Sequence, residues 1–513
     1  MNTNVLRKSL VVGIILLFVG TCIIPAIALD TEKPLPSSRG YWLYVGGSGP
    51  GNYSKIQDAI DNASDGDTVF VFKDSSPYTE SLTINTRIAL VGEDEATTII
   101  NSPGYQGNVI TIRADNISVH DFTLTYKDAM AITVLADNAT LTNLLLNGSG
   151  GYGTGIIFQN AHNTFISQTI IEKTQFGIST SYDDSTSHTT IEHCLIQYCI
   201  SHAIYMESSD NIIQDNTIIH NRLGIIIDDG SRNQILNNTI IAYSLNGIVI
   251  NGVNNIIIGN NLINSSFQLD ELRGNVFINN TVNGKPFVFL VDEAYQTIDN
   301  AGQVILVNCT HMTVKDLEIG FCRYGILLDG VTYSLVQNCT VFNCYEGIIL
   351  SSGSDNLIQN STITDCSYGI YLQGSYNTVD NNRLSKSGIV IASNGNSVYH
   401  NKLNNSSITL AGNSNTVEQN TMSSISLSNA NHNTIFQNNF MKKIKPAFIY
   451  NAIRNNWTQN YWGRPMNHPK IILGSLLIFE LDFDYGFTYD IKIPWINIDR
   501  YPAQEPYDIP EMS

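Results

Sequence analysis

The chain has 513 residues, 43% hydrophobic and only 14% charged, with 45 acidic against 27 basic side chains. Low charge without low hydrophobicity excludes intrinsic disorder and a long solvated helical protein. A net charge of −18 excludes a nucleic-acid partner, which needs a basic footprint. Asn, at about one position in nine, supplies much of the missing polarity. In chain order, Arg7 and Lys8, the apolar run from Leu10 to Val19 and the small-residue site Ala26-Ile27-Ala28 predict a signal peptide over 1–28. An uncleaved anchor is the alternative these residues leave open. The mature chain is then exported, extracellular or at the cell surface, and not an integral membrane protein. The best later apolar run, Ile471 to Phe483, is short for a span and contains Glu480 and Asp482. Fourteen N-x-S/T sequons fit export, although a chain this rich in Asn, Ser and Thr would carry roughly nine or ten by chance.

Residues 29–67 are predicted to form an N-terminal cap. Within it Ser54 to Ala63 reads as a short amphipathic helix, with Ser54 as N-cap and Ile56, Ala59, Ile60 and Ala63 on one face. Residues 68–440 carry an internal repeat, G-I-x-Φ-x(about 5)-N-x-Φ-x-x-N-x-Φ, where Φ is aliphatic. Gly325, Gly347 and Gly369 are spaced by 22, and an Asn follows each by 13, at Asn338, Asn360 and Asn382. The same frame places Asn216, Asn238, Asn260 and Asn280 upstream and Asn401, Asn420 and Asn438 downstream, with Asp121, Asn143, Gln168 and Cys194 as degenerate early members. Each unit contains three short runs of alternating Ile and Val between turn residues, with no helical stretch between them. That pattern predicts an all-β fold, a single-stranded right-handed parallel β-helix of roughly 16 or 17 coils, about 80 Å long. An inward Asn column fits such stacking, since each amide can bond to its neighbour one coil away. The interval from Asn280 to Asp316 is 36 residues, so one coil carries an excursion between Asn283 and Gln303. Residues 441–513 lose the period and read as an aromatic- and Pro-rich C-terminal cap.

Several segments resemble known proteins. Tyr53-Ser-Lys-Ile-Gln-Asp-Ala-Ile-Asp61, Gly66-Asp-Thr-Val-Phe-Val71, Pro77-Tyr-Thr-Glu80 and Leu90-Val-Gly-Glu93 resemble the opening of pectin-lyase-like right-handed β-helix proteins. The repeats resemble the NosD-type periplasmic copper-binding β-helix family. The Asn283-Gly-Lys-Pro286 excursion and the Tyr461-Trp-Gly-Arg-Pro465 tail resemble exported archaeal members of that group. The resemblance implies the fold, and it implies two kinds of ligand, carbohydrate and copper. It does not fix an activity, because this architecture hosts enzymes and inert stalks alike. The Q-D-T-L and D-F-I-F-G segments of pectin methylesterases are absent.

Candidate chemistry is sparse. Glu207 and Asp228 occupy the same repeat position on adjacent coils, with Asp229 beside the latter and His202 and Arg222 in the preceding turns. They are the candidate pair for glycoside hydrolysis, which needs two carboxyl groups about 5 Å apart or more. The reading preferred for these acids is an exposed acidic turn column or a fortuitous cation site, such as one for Ca²⁺. Uronate β-elimination is disfavoured because Arg and Lys do not column up beside acids. Tyr324, Tyr345, Tyr368 and Tyr371 flank the repeat glycines and are candidate stacking surfaces for sugar rings. Imidazoles suit Cu(II), and His188, His193, His202 and His220 fall within two coils, but at different places in the repeat. Cys322, Cys344 and Cys366 are one 22-residue coil apart. A buried thiol ladder, one disulfide with a third thiol free, and a soft-metal site are the readings left open. The expected partners are carbohydrate or cell-envelope components. The sequence reading is an exported β-helix binding or scaffold protein, with a polysaccharide hydrolase or lyase and a copper-handling protein as alternatives.

Overall fold

Alternating Ile and Val runs of three to five residues are too short for helices and need partners on both edges. Stacking coil on coil supplies those partners. The structure, a computed structural model, describes residues 40–104, 107–180, 186–442, 444–483 and 487–509. The predicted signal peptide lies outside these residues. The chain folds as a right-handed parallel β-helix of about 19 turns that is 2% helical. The count exceeds 16 or 17 because strand pairing begins at Trp42–Val45, already in register with Thr68–Val71, and runs on through Asn456–Thr458. The first coils lack the Gly and Asn marks of the repeat, whereas the last keeps its Asn pair at Asn455 and Asn460.

Three columns of strands form the walls. In the first, Ile212, Gln234 and Ile256 are register neighbours, so Ile213, Ile235 and Ile257 stack inward and are fully buried. Each buried Ile stabilises the fold by about 2 kcal/mol relative to exposure. The repeat glycines arise from close coil approach. A Cβ on Gly325 would lie 2.6 Å from the Gly347 carbonyl oxygen, and one on Gly347 would lie 2.5 Å from that of Gly369.

Two buried Asn ladders fill the corners on either side of one strand column. In the expected ladder, the Asn238 Oδ1 accepts from Asn216 N–H and Nδ2, each at 3.0 Å, while Asn238 Nδ2 donates to Ile213 O at 2.8 Å and to Asn260 Oδ1 at 3.0 Å. Asn280, Asn382, Asn401, Asn420 and Asn438 hold the same station. Asn338 and Asn360 do not. They occupy left-handed turn positions, φ 54° and 50°, and the buried station belongs to Cys339 and Ser361. Asp121, Asn143 and Gln168 are likewise left-handed turn residues, at φ 67°, 51° and 52°. Asn tolerates this backbone, so an Asn-rich turn mimics a ladder one residue out of register. The first Asn of the repeat frame forms a second ladder, in which Asn211, Asn233 and Asn255 are linked by N–H to Oδ1 bonds of 2.9 Å.

The excursion opens with a two-residue reversal at Asn283 and Gly284, φ 51° and 77°, which sets Thr281–Val282 antiparallel to Lys285–Pro286. Strand Lys285–Val291 then lies parallel to Gln303–Val307. The gap this leaves is closed by the buried amide of Gln303, which accepts from Phe267 N–H at 3.0 Å and donates to Phe267 O at 2.8 Å.

The ends are closed differently. The N-terminal helix spans Ile56–Asp61, and its capping acceptor is not Ser54. Glu80 from the next coil accepts from the Ile56 and Gln57 amides at 2.9 and 3.1 Å. At the C-terminus, Lys470–Phe483 and Phe487–Asp499 form a long antiparallel hairpin whose first strand joins the last coil at Ile449–Gly474. Among the described residues no helix is long and apolar enough to cross a membrane.

Candidate functional site

The register that pairs Met206 with Ile227 and Asp228 with Asn251 brings Glu207, Asp228 and Asn251 into one outward column. The two carboxylates do not face an open gap. The Tyr205 hydroxyl lies between them, bonded to Glu207 Oε1 and, at 3.0 Å, to Asp228 Oδ2. Asn251 Nδ2 donates to Asp228 Oδ1 at 2.7 Å. Burial and then both neighbouring carboxylates push the Tyr205 phenol well above its usual range. Asp229 stands outside this bridge, exposed in a left-handed turn at φ 52°. His202 meets the Tyr205 ring, 5.4 Å between centroids, and lies flat on Phe176 at 5.3 Å and 10°, with its Nδ1 2.9 Å from Ser201 Oγ. Burial, followed by the charge of Arg222, lowers its pKa from 6.5. The arrangement is a closed hydrogen-bond network. A hydrolase would need the space that Tyr205 fills for the glycosidic oxygen.

The four candidate tyrosines do come together, along the stacked strands Tyr324–Asp329, Glu346–Leu350 and Tyr368–Leu372. Tyr324, Glu346 and Tyr368 are register neighbours. Tyr345 meets Tyr368 edge-on at 5.7 Å, and Tyr368 stacks with Tyr371 at 5.7 Å and 23°. The Arg323 guanidinium lies 3.9 Å from the Tyr345 centroid and 5.5 Å from that of Tyr324. Burial raises the Glu346 carboxyl, an effect that Arg323 opposes. The surface therefore offers rings and a guanidinium side by side, with Tyr368 the most exposed of the four.

The histidines do not converge. His193 is exposed in a left-handed turn, and His220 is sandwiched between Tyr198 at 5.4 Å and Tyr243 at 5.3 Å. The thiols of Cys322, Cys344 and Cys366 are buried and free, and each donates to the carbonyl two residues earlier at 3.4 Å. A hydrogen bond with Cys322 and then burial push Cys344 up, and a bond with Cys344 and then burial do the same for Cys366. Thiols in line at the coil spacing of about 4.8 Å cannot all reach one ion, whose sulfur ligands lie about 2.3 Å away. Among the described residues no group of three or more His, Cys, Asp or Glu side chains could hold a metal. The donor set does not fit copper.

Two features were not recognised in the sequence. Trp42, Tyr44, Phe70 and Phe72 form an outward aromatic patch on the first two coils, with Trp42 5.9 Å from Phe70 and Tyr44 stacked on Phe72 at 5.9 Å. Its signal was the alternation W-x-Y and F-x-F, which sets both members of each pair on one face. Asp499 is the other. Fully buried, it accepts from Asn460 N–H at 2.9 Å, Asn460 Nδ2 at 3.2 Å and Trp462 Nε1 at 3.1 Å, and so ends the Asn ladder.

Residues 131–282 match the family described as right handed beta helix region, and residues 291–474 match the periplasmic copper-binding protein (NosD) family. No curated protein matches the chain. Among solved structures, the chain is similar to a DFA-IIIase from Arthrobacter chlorophenolicus A6 at 11% identity, over 67% of this chain and 95% of that one, TM-score 0.37. It is similar to a PL6 family alginate lyase at 11% identity, over 81% and 89%, TM-score 0.32. It is also similar to the A-module of a mannuronan C-5 epimerase from Azotobacter vinelandii at 14% identity, over 69% and 90%, TM-score 0.24. At these identities and scores the likeness carries nothing about chemistry.

Proposed function

The chain belongs to the NosD-type right-handed β-helix family, and we propose that it is an exported scaffold that holds carbohydrate on its aromatic flank without cleaving it. The observation that carries the reading is the Tyr345–Tyr368–Tyr371 row beside Arg323. Ring faces and edges on a rigid sheet suit the apolar faces of sugar rings, and a guanidinium suits hydroxyl or carboxylate substituents. The stalled carboxylate pair argues for binding rather than turnover. A glycan array on the purified protein tests the reading, with Tyr368→Ala and Tyr345→Ala expected to lose at least tenfold in affinity while Asp228→Asn retains it. Reducing-end release from a polysaccharide panel, abolished by Asp228→Asn, would instead establish a hydrolase. Stoichiometric copper after loading, lost in His193→Ala or Cys344→Ser, would establish the copper reading.

A further inference from the structure

Independently of the glycan reading, we propose that the C-terminal end of the solenoid is a docking face for an anionic lipid bilayer. Between 441 and 475 the chain carries six basic residues (Lys442, Lys443, Lys445, Arg454, Arg464, Lys470) and no Asp or Glu, in a protein whose net charge is −18. The last coil and the hairpin set an aliphatic face beside Lys445 and Lys470. Ile449 pairs with Gly474, so Phe448 lies next to Leu473, and Leu473 pairs in turn with Ile496. Ile471 pairs with Ile498 in the adjoining row. These five side chains are 40% to 72% exposed, on the side of the sheet opposite the buried Ile472. A cavity of about 550 Å³, lined by Phe448, Trp462 and Leu473, opens between Lys445 and Lys470. Met441 and Ile444, on the loop that carries Lys442 and Lys445, are 57% and 76% exposed.

Exposed aliphatics interspersed with lysines match the headgroup boundary of an anionic bilayer, where apolar side chains enter and ammonium groups meet phosphate. A second copy of the chain fits this face poorly. A two-fold interface sets the same patch against itself, which would bring lysines against lysines. A neutral glycan has no use for Ile and Leu, which lack ring faces.

The test is flotation of the full chain with phosphatidylglycerol/phosphatidylcholine vesicles and with phosphatidylcholine vesicles. We expect partition to the anionic vesicles that falls at least tenfold on neutral vesicles and again when salt is raised to about 0.5 M. Two variants, Lys442→Glu/Lys445→Glu/Lys470→Glu and Phe448→Ser/Leu473→Ser/Ile496→Ser, should each lose at least tenfold with an unchanged melting profile. Equal partition to neutral vesicles, or partition that survives in both variants, overturns the proposal, because binding would then reside elsewhere in the chain. So does a concentration-dependent dimer, abolished by the Leu473 variant, in a protein that does not float.

Discussion

Asn238 touches the coil on either side of it, and four hydrogen bonds depend on its one amide. Removing it leaves buried donors and acceptors without partners, each costing about 1–3 kcal/mol. Asn238→Ala should therefore destabilise the array by about 3 kcal/mol, read as a lower denaturant midpoint. Asn238→Ser should cost distinctly less, because Ser361 already serves at that station, its Oγ accepting from Cys339 N–H at 3.1 Å. His202 gives a prediction with a sign. Its folded pKa is lowered below 6.5 by burial and by Arg222, so the unfolded chain takes up the proton first as pH falls. The stability it contributes is whole above about pH 6.5 and declines below it. Melting temperature should fall on acidification from pH 7.5 to 5.5, and the fall should be smaller in His202→Gln. The carboxylate pair is legible at this scale only in part. The shared repeat position of Glu207 and Asp228, 21 residues apart, follows from the repeat frame, but nothing in it reveals that Tyr205, two residues before Glu207, reaches between them.

A single coil is shaped by how closely the next one approaches. The repeat glycines are not at positive φ, and their role is to let one backbone pass over another. In Gly347→Ala the new Cβ would meet the Gly369 carbonyl oxygen at 2.5 Å and Ile363 Cγ2 at 3.2 Å. Overpacking of this kind costs about 1–3 kcal/mol, and hydrogen exchange should localise the loosening to the coils that hold Gly347 and Gly369. The thiol column uses the same geometry. Each Sγ fills the space beside the preceding coil's glycine, with Cys344 Sγ 3.5 Å from where a Gly325 Cβ would stand. Element ends are where sequence periodicity misleads, because left-handed turn positions and inward ladder positions are adjacent and both accept Asn. Asn338 and Asn360 fall on the turn side of that boundary. Spacing cannot separate the two, since both columns repeat with the coil; only the direction of the side chain does.

For the molecule as a whole, an array of parallel coils has open edges at both ends, and those must be closed. Glu80 does so at one end by capping a helix, and Asp499 does so at the other by taking the place of the next Asn. Asp499→Ala would strand the Asn460 and Trp462 donors and should lower the denaturant midpoint by the equivalent of about 3 kcal/mol, with aggregation on gel filtration as the exposed edge pairs with other chains. Asp499→Asn, which keeps an acceptor oxygen, should aggregate less. Membrane docking places this basic, aliphatic end against the bilayer and leaves the tyrosine flank free for other ligands.

Low charge, abundant Asn and a net charge of −18 acquire their meaning only in three dimensions. The sequence by itself determined the fold class, the coil period and the place of the excursion, because stacking copies one residue type at one station and so writes the architecture as a repeat. It also determined which side chains could come together along a column, such as Glu207 with Asp228. Only the tertiary structure decided what those columns do. It decided which Asn face inward, that Tyr205 closes the Glu207–Asp228 gap, that the histidines diverge, and that Asp499 ends the ladder from 39 residues beyond Asn460. Those are contacts across coils or across a hairpin, set by side-chain direction and chain reversal, and a repeat period carries neither.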